Sequence, residues 1–348
     1  MRVVVTGATG NVGTSVLRTL ASDPRVEEIV GVARRLPQWR NPRTRWVAAD
    51  VVTSALDPVF DGADAVIHLA WLIQPSHDGA ALRAVNVEGS RRVFEAAVRA
   101  GAGVLVHASS VGVYSPGPKD RRVDETWPRR GVPSSFYARH KAEAERLLDD
   151  LEDDIRIVRL RPALVFKRDA ASEIRRLFIG PFLPSPLVRP RLLPVLPWPS
   201  GLALQAVHSL DVGEAYRLAA ASPDARGAYN VAADPVLDAH EIGRLLRART
   251  IAVPSRAVRA IAAATWRARL QPTPPGWLDM GLGVPLMDST RARDELGWRP
   301  RHSAADALLE LLDGLRCSAG FDTPPLAARA GGRLRLGELP PGSPRAAP

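Results

Sequence analysis

The 348-residue chain has one cysteine, Cys317, three methionines, three lysines and an aromatic content of 5%. One cysteine excludes an intrachain disulfide framework and any multi-cysteine metal site. It fits a reducing compartment. No run reaches the ~18 uninterrupted apolar residues of a membrane-spanning helix, so no stable membrane insertion is expected. The start, Met1-Arg2-Val3-Val4-Val5, runs straight into a strand pattern without a signal-peptide signature, and the expected location is cytoplasmic. What is present is an ordinary globular balance of 46% apolar and 24% charged residues. That balance excludes a disordered, collagen-like or coiled-coil chain. The length suits two lobes or one large α/β domain and is ample for a buried core.

The chain carries 47 basic and 37 acidic residues, for a net charge of +10. Such an excess raises nucleic acid as a partner. Only Lys119, Lys141 and Lys167 are lysines, however, and the arginines are spread along the chain rather than clustered with aromatics. This is the pattern of a biased coding sequence. No nucleic-acid partner is expected, and an anionic cofactor is a better use for part of the charge.

Residues 2–6 form an apolar, β-branched run that reads as a buried strand, and 14–21 has helical spacing. Further strands are expected at 29–32, 46–48, 65–69, 104–108 and 155–160, with helices at 80–100 and 135–151. Strands and helices alternating at this spacing predict an α/β fold: a doubly wound parallel sheet of Rossmann type. The dinucleotide-binding domain is expected over 1–165. A smaller C-terminal substrate lobe follows over 166–316, with interleaved returns to the sheet. Seven prolines in 181–199 predict an apolar, stiffened loop, either a surface connection or a lid over a hydrophobic substrate. Residues 317–348 turn into Gly, Pro, Ala and Arg, and a disordered tail is expected there.

Three motifs carry chemistry. The first is Thr6-Gly7-Ala8-Thr9-Gly10-Asn11-Val12-Gly13, between the first strand and first helix. Gly7 allows a tight turn, Gly10 lets the backbone approach a pyrophosphate, and Gly13 lets helix and strand pack closely. The helix N-terminus offers free N–H groups to the phosphates. The second is an absence: between Glu28 and Asp50 there is no acid, but there are five arginines, Arg34 and Arg35 among them. NAD sites usually place an acid there for the ribose, whereas a 2′-phosphate needs arginine. NADP is favoured over NAD. Asp50-Val51, after the third strand, reads either as an adenine contact or as a turn. The third is Tyr137-Ala138-Arg139-His140-Lys141, whose i and i+4 side chains share a helix face. A nearby ammonium favours phenolate, so Lys141 is expected to lower the Tyr137 pKa. Upstream, a strand ends in Ser109-Ser110, where parallel sheets bind ligands.

Together these elements resemble the extended short-chain dehydrogenase/reductase family, the NAD(P)-dependent epimerase/dehydratase-like group. The resemblance runs over about 1–315. It rests on Thr6-Gly7-x-x-Gly10-x-x-Gly13, Asp50-Val51, His68-Leu69-Ala70, Asn86-Val87-x-Gly89, Ser109-Ser110-x-x-Val113-Tyr114, Tyr137-x-x-x-Lys141 and Arg161-Pro162. Later matches are Val207-His208-x-x-Asp211-Val212, Ala228-Tyr229-Asn230-Val231 and Glu295-Leu296-Gly297-Trp298-Arg299-Pro300. The resemblance implies Tyr137 as general acid/base, Lys141 on the nicotinamide ribose, Ser110 as the substrate-orienting hydroxyl, and Asn86 in support. Leu69 and Ala70 would line the cofactor, and the backbone at Pro162 and Ala163 would meet its carboxamide. Members of the family often dimerise, which makes a homodimer one expectation.

Nucleotide-sugar members continue from Arg-Pro into Asn-x-Tyr-Gly-Pro. This chain has Arg161-Pro162-Ala163-Leu164-Val165-Phe166-Lys167, and Tyr114-Ser115 in place of Tyr-Gly. With the apolar 181–199 segment, these departures point to a less polar small molecule. The first expectation is therefore an NAD(P)-dependent oxidoreductase acting on a carbonyl or secondary alcohol. The alternatives are an epimerase or dehydratase with retained cofactor, and a non-catalytic dinucleotide sensor. No metal is expected: His68, His107, His140 and His208 lack partners at ligand spacing and read as packing or surface residues.

Overall fold

The structure, a computed structural model, describes residues 1–73, 78–179 and 194–328. Seven parallel strands form the main sheet: β1 (Arg2–Thr6), β2 (Glu28–Ala33), β3 (Thr44–Ala48), β4 (Ala65–His68), β5 (Val104–Ala108), β6 (Arg156–Pro162) and β7 (Gly227–Val231). Their order is β3-β2-β1-β4-β5-β6-β7, so the chain starts mid-sheet and reverses direction after β3. In such sheets the ligand crevice opens at the carboxyl ends of the strands flanking that reversal, here β1 and β4.

The strands are apolar on both sides because both faces are covered. In β1, Val3 and Val5 enter one core and Val4 the other, the period-2 alternation of a strand. Helices α1 (Asn11–Ala21), α2 (Ser90–Arg99), α3 (Phe136–Asp149) and α4 (Ser209–Ala221) flank the sheet. The second half of the chain does return to it. β7 extends the sheet, and α4 lies so close to α1 that a Cβ on Gly213 would stand 2.8 Å from the Ser15 carbonyl. A three-stranded sheet of Leu164–Phe166, Leu204–His208 and Ala233–Leu237 builds the smaller lobe with helix Ala304–Cys317.

Two expectations need correction. Val195–Pro199, expected as part of a loop, is a strand paired in parallel with Arg249–Val253. Among the described residues that ribbon has two strands, which leaves each an edge where proline's missing N–H is tolerated. Residues 181–193 of the proline-rich segment lie outside the described residues. The expected disordered tail is also wrong for 318–328. This stretch turns back onto the domain, with Leu326 and Thr323 buried. It is anchored by scattered hydrogen bonds and by the side chains of Phe321 and Leu326, which leave no periodic signal. Residues 329–348 lie outside the described residues.

Candidate active site

A cleft of about 460 Å³ opens at the carboxyl ends of β1, β2 and β4, a size typical of small-molecule and cofactor sites. Its floor is the glycine turn. Gly7 sits at φ +69°, and a Cβ there would lie 2.6 Å from the Ala70 nitrogen. On Gly13 it would lie 2.4 Å from the Gly7 oxygen. Packing alone therefore explains both glycines. Gly10 differs. Its φ is −78°, and the nearest atom to a Cβ is the Gly7 oxygen at 3.5 Å. Nothing in the chain demands glycine there, and the open space faces the N-terminus of α1, which has no side-chain cap. This fits a phosphate-bearing cofactor whose backbone approach needs that space.

Of the residues expected to hold the cofactor, Gly7, Thr9, Gly10, Arg34, Arg35, Asp50, Val51, Leu69 and Ala70 line the cleft. Arg34 and Arg35 are exposed. Asp50 also accepts from the Val52 amide at 2.8 Å, so its turn role is real. The remaining expected residues do not line the cleft. The Asn11 side chain donates to the Val165 carbonyl at 3.0 Å, tying α1 to the smaller lobe. Val12 packs against the core, and Gly13 is consumed by the turn. Pro162 ends β6, and the Ala163 amide donates to the Val231 carbonyl at 3.0 Å. Lys141 does not line the cleft, but the Trp71 ring that does lies 3.3 Å from its ammonium.

The loop after β4 is held by Asn86. Its side-chain oxygen accepts from the Leu72 amide at 2.7 Å, and its nitrogen donates to the Leu72 carbonyl at 2.9 Å. Asn86 is fully buried in a π-helical turn, Ala84–Gly89, a distortion that recurs at functional sites. In this structure Asn86 positions the loop that carries Trp71.

Ser135 caps α3 by accepting from the Ala138 amide at 3.3 Å, which sets Tyr137 in the first helical turn and Lys141 one turn on. The Ser110 hydroxyl lies near enough to the Tyr137 phenol to lower its pKa, and it accepts from the Gly112 amide at 3.0 Å. Ser109 faces elsewhere: its hydroxyl donates to Glu145 at 2.5 Å. Glu145 in turn accepts from Arg161, from Nε at 2.9 Å and from Nη2 at 2.7 Å. Arg161 also donates to the Tyr114 hydroxyl at 3.0 Å, and Tyr114 to Asn230 at 2.6 Å. Ser109, Tyr114, Arg161 and Asn230 thus form a buried frame beneath the site.

The expected pKa pairing does not appear. Burial pushes the Tyr137 phenol up to about 12, with the Ser110 hydroxyl opposing, and burial holds Lys141 well below its ordinary range. The physical reason is that Lys141 is itself dry. Its ammonium donates to the Ala108 carbonyl at 2.5 Å and lies 3.3 Å from the centre of the Trp71 ring. Sequence reasoning missed the aromatic enclosure of Tyr137. Trp277 stands 4.9 Å from it between ring centres and Trp71 6.2 Å, while Phe178 meets Trp277 edge-on at 4.9 Å. Gly112 backs the phenol ring, since a Cβ there would lie 3.1 Å from it. Only the glycine gap and the apolar composition of these stretches hint at this.

His68 and His208 are held by hydrogen bonds, whereas buried His107 has a partner at neither ring nitrogen. His68 shares hydrogen bonds with Thr6 at 2.7 Å and Ser90 at 2.9 Å, and burial pushes it down to about 3. Among the described residues, one trio, His208, His302 and Glu310, brings donor atoms within 4.8 Å of one another. The His208 Nδ1 accepts from the Leu210 amide at 3.2 Å, which leaves the proton on Nε2, facing Glu310 at 3.1 Å. A protonated nitrogen has no lone pair for a metal.

A family model described as "NAD dependent epimerase/dehydratase family" matches residues 3–232. An uncharacterized protein of Mycobacterium tuberculosis is 26% identical over 325 residues, 92% of this chain but 31% of that relative, so the chain spans about a third of its length. Ceramide reductase of Caulobacter vibrioides is 34% identical over 151 residues, 40% of this chain and 45% of that protein. Human 3 beta-hydroxysteroid dehydrogenase type 7 is 32% identical over 158 residues, 42% of this chain and 43% of that protein. Among solved structures, MoeE5 in complex with UDP-glucuronic acid and NAD has a TM-score of 0.67 at 21% identity. It covers 91% of this chain and 100% of that one, a likeness of fold. Among the described residues, no helix is long and apolar enough to cross a membrane.

Proposed function

The chain belongs to the NAD dependent epimerase/dehydratase family, a family of enzymes, and from that premise we propose that it is an NAD(P)-dependent reductase of an apolar carbonyl compound. One observation carries this reading: the Tyr137 ring is flanked by the aromatic rings of Trp277 and Trp71. Aromatic walls gain free energy by covering apolar surface and offer little to a sugar's hydroxyls. The partial matches to ceramide reductase and a hydroxysteroid dehydrogenase support the same substrate class.

The dinucleotide, when bound, supplies the hydride. The protein's residues manage the rest. A phenol held near 12 stays protonated at neutral pH, so Tyr137 is set to give its proton to a carbonyl oxygen. Ser110 orients that phenol and supplies a second hydroxyl toward the same oxygen. Lys141 lies one helical turn away, on the side of the ribose. Gly7, Thr9, Gly10 and the N-terminus of α1 would cradle the phosphates, and Asn86 would hold the Leu69–Trp71 wall. Arg34 and Arg35 favour NADP, because they line the cleft exposed, with no ion pair among the described residues.

The test follows loss of reduced-nicotinamide absorbance with a long-chain ketone, NADPH and NADH. The expected result is NADPH-dependent reduction, abolished in Tyr137→Phe. Interconversion of a UDP-sugar with no net change in cofactor would instead make the chain an epimerase.

A further inference from the structure

We infer that residues 318–328 are a clasp of the dinucleotide cleft, which slows release of the bound cofactor. The inference rests on the reading of the cleft as a dinucleotide site, and it adds a wall that the glycine fingerprint does not contain.

Helix Ala304–Cys317 ends at Ser318 with left-handed backbone, which turns the chain back toward the sheet. The segment then closes on itself around Gly320. A Cβ there would lie 2.5 Å from the Ala328 nitrogen, so only glycine permits the closure. The Phe321 amide donates to the Leu326 carbonyl at 2.9 Å, and Leu326 is fully buried. From this loop the Thr323 hydroxyl, buried, donates to the carbonyl of Thr9 in the glycine turn at 2.8 Å. Arg176 donates to the Pro325 carbonyl at 2.9 Å. Phe321 stacks edge-on against Trp39 at 5.1 Å, with Arg18 over its face at 4.8 Å.

Pro324, Pro325 and Ala327 therefore line the cleft opposite Gly7 and Gly10. Two prolines present no N–H groups, so this wall has little with which to bind phosphate. What it does is exclude water, and attraction between phosphates and the cationic groups of the cleft strengthens as the local dielectric falls. Besides buried Leu326 and the packed Phe321 ring, the segment is held by a few hydrogen bonds to carbonyls, a small set of contacts that can open locally without unfolding the domain. Such an element sets a release rate.

The experiment measures NADPH dissociation by stopped-flow displacement, and digestion of the segment by a nonspecific protease with and without NADPH. The full-length protein is compared with Thr323→Val, Gly320→Ala and a chain ending at Cys317. The point variants should release NADPH about fivefold faster, the rate equivalent of one lost hydrogen bond. The truncation should exceed both, and NADPH should protect 318–328 from cleavage. Unchanged release in all three variants, or cleavage indifferent to NADPH, overturns the clasp while leaving the cleft a dinucleotide site. Failure of the full-length chain to bind either dinucleotide overturns both.

Discussion

Ser109 and Ser110 are adjacent, yet one hydroxyl serves Glu145 and the other Tyr137. Extended backbone at Ser110, φ −170°, points neighbouring side chains to opposite sides, so the pair divides between the frame and the site.

The two serines should therefore separate cleanly on mutation. Ser110→Ala removes the partner of the phenol and should lower kcat by about a hundredfold, with little change in Tm. Ser109→Ala leaves the buried Glu145 short of one donor, a loss of about 2 kcal/mol, and should lower Tm while changing kcat little. Thermal melts and steady-state kinetics on both variants check this. Equal effects on both readouts would mean that the division is not functional.

Trp71 should control the alkaline limb of activity. Its ring covers the Lys141 ammonium, and burial holds that group below its ordinary range. Trp71→Ala admits water, which favours the charged form, so the Lys141 pKa should rise. If charged Lys141 is needed for turnover, activity is lost as pH rises through its pKa. The limb should then move to higher pH in the variant. An unmoved limb would place the titration on another group.

Local signals made much of the site legible. The glycine turn sits between a β-branched run and a helical pattern, and Tyr137 and Lys141 are one turn apart on one helix, so neighbouring residues fix each arrangement. What could not be read came from distant parts of the chain. Thr323 reaches Thr9 across 314 positions, and Trp277 reaches Tyr137 from another lobe. Neither lies in a spacing that periodicity reports. The Tyr137 pKa direction was misjudged for the same reason. Spacing placed a cation nearby, but the desolvation that outweighs it depends on Trp71 and Trp277. Pro162 pairs with Val231 in the sheet, and the Ala163 amide donates to the Val231 carbonyl, contacts that no local spacing reports.

Lys167 should leave a mark on stability against pH. It is buried and donates to the Asn11 carbonyl at 2.7 Å and the Thr14 hydroxyl at 2.6 Å, and burial pushes it down to about 7. The unfolded chain holds this proton up to about 10.5, so between about pH 7 and 10.5 the unfolded state binds more protons. Stability from this group therefore rises with pH across that window, with a slope of at most ~1.4 kcal/mol per unit. Urea titrations at several pH values should show a flatter dependence for Lys167→Met, even though that variant loses the hydrogen bonds and is less stable at high pH.

Arg34 and Arg35 should decide between NADP and NAD. Both line the cleft at the end of β2, exposed and without a recorded ion pair among the described residues. An arginine that pairs with a 2′-phosphate contributes about 1.5–3 kcal/mol through a charge-assisted hydrogen bond. Replacing both by alanine should weaken NADPH binding by a hundredfold or so and leave NADH nearly unchanged, since NADH has no phosphate at that position. The chain already contains 47 basic residues, so long-range attraction to any anion will survive the double variant. The comparison must therefore be the ratio of the two dinucleotides at one ionic strength, read by fluorescence titration. Salt screens the diffuse field far more than a direct contact, so the NADPH preference of the unaltered protein should persist as ionic strength rises. Equal losses for both dinucleotides would assign these arginines to the general field, and the preference for NADP would have to be abandoned.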